Sequence, residues 1–410
     1  MRIGMVHYAG PPFVGGVELT IFHHARILLA LGHQVVVVAG RGEACLPGMV
    51  FHHVPQVGSR GARIEALNAA LARGDIPDDF EPLVAEIREA LRTTLHGYDV
   101  VIGHNFFTLH KNLALTTAVY RMVLAGEGPP WIAWHHDFAW LRPQYLPELH
   151  PGEPWELLRR PWPGVRHVTV SAAQRTDLAR LYGVDEARIA VVPPGVEPST
   201  LWRLPPRIAT LVEQWGLWRA DVVFLLPARI TRRKQIERAL EWLAALRAHT
   251  GEDARLIVTG PPGPHNPANQ AYFQELLALR ARLGITEAAH FAYEAGVEPT
   301  DEEVAALYQV ADALMFTSKQ EGFGIPVLEA GLLRLPIFAT DLPPFHESVA
   351  PDAFLFAPET PPEQVASEIA EALRNDRALR LRKRMLREFT WRRIVEDRLL
   401  PLVQAQAHTA

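Results

Sequence analysis

The sequence predicts an α/β protein of two doubly wound domains in tandem. Three observations carry that expectation: a length of 410 residues, short β-branched runs alternating with longer amphipathic stretches, and one interruption of that alternation near the middle. A chain of this length is more than one hydrophobic core usually supports. Alternating strand and helix is the pattern of a parallel sheet covered on both faces.

In the first half, strands are expected at 2–7, 34–39, 99–103, 131–135, 165–170 and 188–192. Helical periodicity lies between them, at 18–31, 81–95 and 172–181. Residues 193–218 contain five prolines, among them Pro193, Pro194 and Pro198, and read as a connection between domains. The alternation resumes with strands at 221–226, 254–259, 289–293, 311–317 and 335–339. Residues 389–405 read as one long amphipathic helix with no strand after it. The expected division is therefore 1–205, 206–389 and a terminal helix at 390–410.

Composition narrows the function. With 41 basic and 46 acidic side chains and a net charge of −5, the chain lacks the basic excess of a general nucleic-acid binder. The single cysteine, Cys45, can form neither an internal disulfide nor a zinc site alone, which fits a reducing, cytoplasmic setting. No signal-peptide core and no membrane-length apolar run is visible. The chain reads as soluble, or at most attached to a membrane surface.

Ligands of doubly wound sheets sit at the carboxyl ends of strands, and the informative residues fall there. After strand 311–317 come Glu321, Gly322, Phe323, Gly324, Ile325, Pro326 and, one turn into a helix, Glu329. The glycines allow close backbone approach, and Pro326 suits a first helical turn. Free N–H groups at the helix start would cradle an anion such as a diphosphate. The same residues alone read equally well as an ordinary helix start. After strand 221–226 comes a basic loop with Arg229, Arg232, Arg233 and Lys234. It is suited to phosphate, or is simply a solvated helix start. Gly15 and Gly16 after the first strand form another cradle candidate, weak by itself. His136 follows strand 131–135 and is placed to donate a hydrogen bond, though a structural histidine is the commoner case. The pairs His23-His24, His52-His53 and His135-His136 are adjacent in sequence and point to opposite sides on a strand, so they form no chelate. No Asp-x-Asp pair is present to hold a divalent ion on a diphosphate. No metal is expected.

Taken together, these residues resemble family 4 glycosyltransferases of the GT-B architecture over nearly the whole chain. Glu321 to Glu329 is similar to that family's Glu-x7-Glu motif. Arg229 and Lys234 match its Arg and Lys five positions apart. Gly15-Gly16-Val17-Glu18, Gly32-His33-Gln34-Val35 and Pro194-Gly195-Val196 resemble its N-terminal landmarks. Two positions depart from it: Gln235 and Arg334 stand where glycine is usual. The resemblance implies two Rossmann-like domains facing across a cleft, with a C-terminal helix, led by Trp391, crossing back onto the first.

It further implies a retaining, metal-independent hexosyltransferase without a cofactor, using a nucleotide-diphosphate sugar of the UDP-glucose or GDP-mannose type. Glu321, His136, Arg229 and Lys234 would be catalytic. Gly15, Gly16, Gly322, Phe323, Gly324, Ile325, Leu328 and Glu329 would bind the donor. His104 and Asn105 would border the pocket of a small-molecule, glycan or lipid-linked acceptor. Two alternatives share the architecture: a nucleotide-sugar epimerase, which normally lacks the Glu-x7-Glu arrangement, and a non-catalytic nucleotide-sugar-binding relative. A Rossmann dehydrogenase is the weakest reading, because no Gly-x-Gly-x-x-Gly follows the first strand.

Overall fold

A computed structural model describes residues 1–13 and 15–408. The chain forms two compact units. One comprises Met1–Val196 together with the segment from Phe389 onward, and the other comprises Glu197–Glu388. Among the described residues, no helix is long and apolar enough to cross a membrane.

The first unit holds seven strands: β1 (Arg2–His7), β2 (Gln34–Ala39), β3 (Met49–His53), β4 (Val100–His104), β5 (Trp131–His135), β6 (Arg166–Thr169) and β7 (Ile189–Val191). They pair in parallel in the order β3-β2-β1-β4-β5-β6-β7. The second unit holds β8 (Val222–Leu226), β9 (Ala254–Val258), β10 (Ala289–Phe291), β11 (Ala313–Phe316), β12 (Ile337–Thr340) and β13 (Phe354–Phe356). These are parallel in the order β10-β9-β8-β11-β12-β13. Both sheets reverse direction beside their first strand, between β1 and β4 and between β8 and β11. These are the topological switch points, where the connections leaving neighbouring strands pass to opposite faces and open a crevice.

Central strands are buried on both faces, which explains their nearly continuous apolar sequence. In β1, every residue after Arg2 is buried. One side of the first sheet packs Phe106, Phe107, Trp131 and Trp155. The other packs Ile21, Ile132, Trp134 and the returning C-terminal segment. The second unit is built around Phe224, Trp242, Phe316 and Phe338.

Three features differ from the sequence expectation. The strands β3 and β13 carry no clear periodic signal. Each pairs with a single neighbour at a sheet edge, so pairing rather than composition defines them. Residues 193–218 are more than a connection. They hold helices Pro198–Leu201 and Pro206–Gln214, and Ile208, Leu211 and Val212 enter the second unit's core. The long C-terminal helix is broken into Trp391–Ile394, a wide π turn at Val395–Leu399, and Leu400–Ala407. Pro401 is the physical reason: it has no N–H to give and its ring crowds the carbonyl four residues back, so the preceding turn widens.

Where the chain re-enters the first unit, the Val196 N–H donates to the Phe389 carbonyl (2.7 Å) and the Trp391 N–H donates to the Val196 carbonyl (3.0 Å). Trp391 is 3% exposed and stacks on His23 at 4.9 Å. A side chain at Gly195 would lie 2.6 Å from the Trp391 backbone nitrogen, so the close approach requires glycine there. We expect Trp391→Ala to destabilise the first unit by about 3 kcal/mol, the usual cost of emptying a buried indole site. Urea titration would check this, and a change below about 1 kcal/mol would show that the returning segment contributes little to the unit.

Candidate active site

In the second unit, the two motifs leave β8 and β11, the strands that flank the switch point. The loops are stitched together. The Lys319 N–H donates to the Arg233 carbonyl (2.8 Å), Thr317 Oγ1 donates to the Gln235 carbonyl (2.9 Å), and Arg233 Nη1 donates to the Gln320 carbonyl (2.7 Å). The Pro-rich loop after Gly260 joins them, since the Ile230 N–H donates to the Pro261 carbonyl (2.9 Å).

Glu321 is the centre of this arrangement. Its side chain is 8% exposed, its Oε1 accepts from Lys234 Nζ (2.5 Å), and its Oε2 accepts from Arg233 Nη1 (3.0 Å). Burial alone would raise the carboxyl pKa, but Lys234, then the Ser318 hydroxyl and Arg233, outweigh it and hold the group below the ordinary glutamate value. Each carboxylate oxygen keeps a second acceptor site, and the ammonium keeps two further protons. Glu321 and Lys234 can therefore bind each other and a ligand at once.

Of the other cations in the loop, Arg232 is turned to Glu275 (2.6 Å) and lies over the Tyr272 ring. Arg229 is exposed and makes no ion pair among the described residues. The helix Ile325–Leu332 starts at Gly324, which has φ 89°. A Cβ there would come within 2.5 Å of the Phe345 ring. The N–H groups of Phe323, Gly324 and Ile325 bond to no described residue, so donors are available at a helix N-terminus. Gly322 faces open space, and the side chains of Phe323, Ile325 and Leu328 are exposed beside these amides. Glu329 is held by Tyr308, whose hydroxyl donates to Oε2 (2.6 Å).

The two departures from the family pattern have one explanation. Gln235 has φ 43° and Arg334 has φ 61°. Both turns keep the left-handed backbone that glycine serves elsewhere, and the side chains bear its cost, about 1 kcal/mol each.

In the first unit, the candidate residues again follow strands at the switch point, β1 and β4, and the next strand, β5. Gly15 caps the helix Gly16–Ala30 in extended conformation. Gly16 has no neighbour where a Cβ would stand, whereas at Gly15 the Glu18 carboxylate fills that space, as the helix dipole favours. His104 is fully buried, and its Nδ1 lies 3.5 Å from His136 Nε2. Asn105 Oδ1 accepts from the His136 N–H (3.2 Å) and the Asp137 N–H (3.1 Å). His135 points elsewhere, to Thr108 Oγ1 (3.0 Å) and His167 Nδ1 (3.0 Å).

Sequence reasoning named Arg233 only as one cation of the basic loop, without its pairing to Glu321, and did not single out Tyr308, Thr317 or Gln174 as site residues. Gln174 Nε2 donates to the His136 carbonyl (2.9 Å). These partners stand 88, 21, 82 and 38 positions from the groups they hold, and no local pattern reports such pairings.

Residues 14–200 match the family model described as "Glycosyltransferase Family 4", and residues 210–388 match "Glycosyl transferases group 1". The chain is 24% identical over 388 residues to a mannosylglucosylglycerate synthase of Petrotoga mobilis, covering 86% of this chain and 85% of that one. It is 26% identical over 440 residues to an MMP alpha-(1->4)-mannosyltransferase of Mycolicibacterium hassiacum, covering the full length of both. It is 28% identical over 305 residues to a D-inositol 3-phosphate glycosyltransferase of Nocardia farcinica, covering 71% of this chain and 63% of that one. Two Rossmann-like units carrying these motifs define a glycosyltransferase of the GT-B fold. Within that class, the chain belongs to family 4.

The histidines of the first unit set a pH limit. Burial, with repulsion from neighbouring cationic groups, lowers His24 and His136 to about 3 and His167 to about 4. His7 falls to about 4 despite an opposing bond to the His104 carbonyl. His104 and His135 lie well below the ordinary 6.5 for the same first reason, burial. The folded values lie below the unfolded one, so the unfolded chain binds more protons in acid. Stability is then complete above about pH 6.5 and falls as pH drops towards the folded values, by on the order of 1 kcal/mol per pH unit per histidine. The melting temperature should be flat from pH 7 to 8 and fall steeply from 6.5 to 4.5. An equal slope across both ranges would contradict neutral burial of these rings.

Proposed function

We propose that the protein is a retaining hexosyltransferase using a nucleotide-diphosphate sugar of the UDP-glucose or GDP-mannose type, without a metal ion. The observation that carries this reading is the nearly buried Lys234–Glu321 pair, joined by the exposed Arg233, beside the amides of Phe323 to Ile325 and the Arg229 guanidinium, which have no partner among the described residues. It supplies anion donors and an oriented carboxylate on adjoining loops.

In this reading, Glu321 accepts from hydroxyls of the donor sugar through its remaining lone pairs. Lys234 and Arg229 neutralise the diphosphate, with Gly16 as a further amide donor. Glu329, fixed by Tyr308, accepts from the ribose hydroxyls. His136, neutral at working pH, bonds the sugar near its 6-position. The bond from the sugar's C1 to the phosphate oxygen breaks while the acceptor oxygen bonds C1 on the same face. The acceptor's proton passes to the departing phosphate. Cations already in place stabilise the charge developing there without reorganising. The relatives' names support glycosyl transfer to small hydroxyl-bearing molecules, one naming the product mannosylglucosylglycerate and another the substrate D-inositol 3-phosphate.

Glu321→Ala should lower kcat by at least about 100-fold, the usual scale for an oriented electrostatic partner, and leave the fold intact by circular dichroism. Wild-type turnover in that variant would end the role assigned to Glu321. EDTA should leave the rate unchanged, and a loss restored by Mn²⁺ would overturn the metal-free mechanism. Incubation with donor alone should give at most slow hydrolysis; an epimerised nucleotide sugar would favour the epimerase reading.

A further inference from the structure

We infer that Asn105 is a positioning residue that fixes the backbone carrying His136, an inference that rests on the role proposed above for His136. The register places His104, the last residue of β4, beside Trp134 of β5. The residue after β4 therefore stands next to the exit of β5. Asn105 has φ 71°, and its N–H donates to the Trp134 carbonyl (2.7 Å). This left-handed turn brings its side chain to the β5 exit, where Oδ1 takes both the His136 and the Asp137 N–H.

Glycine would satisfy that backbone conformation at lower cost. The presence of a side chain there points to its acceptor oxygen. From the other side, Gln174 Nε2 binds the His136 carbonyl. Both polar groups of the His136 backbone are thus held by side chains, from the loop after β4 and from the helix Ala172–Tyr182. Most buried backbone groups are held by other backbone groups. The imidazole itself rests against the buried His104 ring. Asn105 is 8% exposed, and its Oδ1, with both backbone N–H groups upon it, acts on the reaction through His136.

Four variants test this: Asn105→Gly, which keeps the left-handed turn and removes the acceptor; Asn105→Asp, which keeps both; His136→Ala; and His136→Ala combined with Asn105→Gly. Steady-state kinetics are measured with a nucleotide-sugar donor found by thermal shift, and nucleoside diphosphate binding is measured by calorimetry. Asn105→Gly should lower kcat roughly 10- to 100-fold, the scale of a misplaced catalytic contact. Nucleoside diphosphate affinity should stay unchanged. Asn105→Asp should recover most of the rate. Added to His136→Ala, Asn105→Gly should cost nothing more, because residues acting through one group are not additive.

Full activity of Asn105→Gly beside an impaired His136→Ala overturns the inference alone, and so do additive losses in the double variant. Full activity of His136→Ala overturns the proposed role of His136 and the inference with it. If Asn105→Gly lowers the melting temperature, an Asn105→Asp variant with wild-type stability but the same low rate also counts against the inference.

Discussion

Strand order is the constraint on which the rest depends. In each sheet the chain begins in the middle, builds outward to one edge, and returns to build the other. The strands that flank the return, β1 with β4 and β8 with β11, send their connections to opposite faces, because parallel crossovers are right-handed. Loops meet there without a helix lying over them. The residues with anion-binding or proton-donating chemistry stand on the loops that leave these strands and the neighbouring β5. A site on any other pair of strands would have to displace a packed helix.

Within the second unit, that placement allows an expensive arrangement. A nearly buried carboxylate is costly unless charged partners reach it. Glu321 has two, both from the neighbouring loop. The loops are themselves joined by backbone bonds through Lys319 and Ile230 and by the Thr317 hydroxyl, so the partners are held in place before any ligand arrives. The left-handed Gln235 belongs to the same stitching: it caps the helix Ile236–Thr250 and its carbonyl takes the Thr317 hydroxyl.

The first unit uses a different device. His24, His104 and His135 pack against tryptophan and phenylalanine rings and stay neutral because burial disfavours the cation. Neutral imidazoles can share a single proton between neighbours, as at His104 and His136, whereas two imidazolium ions there would repel. The adjacent residues His135 and His136 serve opposite sides of the sheet. One joins the Thr108 and His167 chain, and the other faces His104.

Much of this was legible in the sequence. Central strands are apolar throughout because both faces are covered, so β1, β2, β4, β5, β8 and β11 announce themselves by composition. The loops after them are marked by glycine, proline and charge, because those positions need unusual backbone conformations or solvent-facing polar groups. The edge strands β3 and β13 were not legible, since neither carries a clear periodic signal and each is defined by pairing with one neighbour, although the other two edges, β7 and β10, were marked by their apolar runs. Nor was the π turn before Pro401, because a proline inside an amphipathic pattern can end, kink or widen a helix. The partners Tyr308 and Gln174, the pairing of Arg233 with Glu321 and the engaged oxygen of Asn105 came from the tertiary structure alone. Sequence carries the chemistry of each group and the local conformation it tolerates. Which distant group lies within hydrogen-bonding reach depends on strand order and register, and these are settled only when the whole sheet closes around its core.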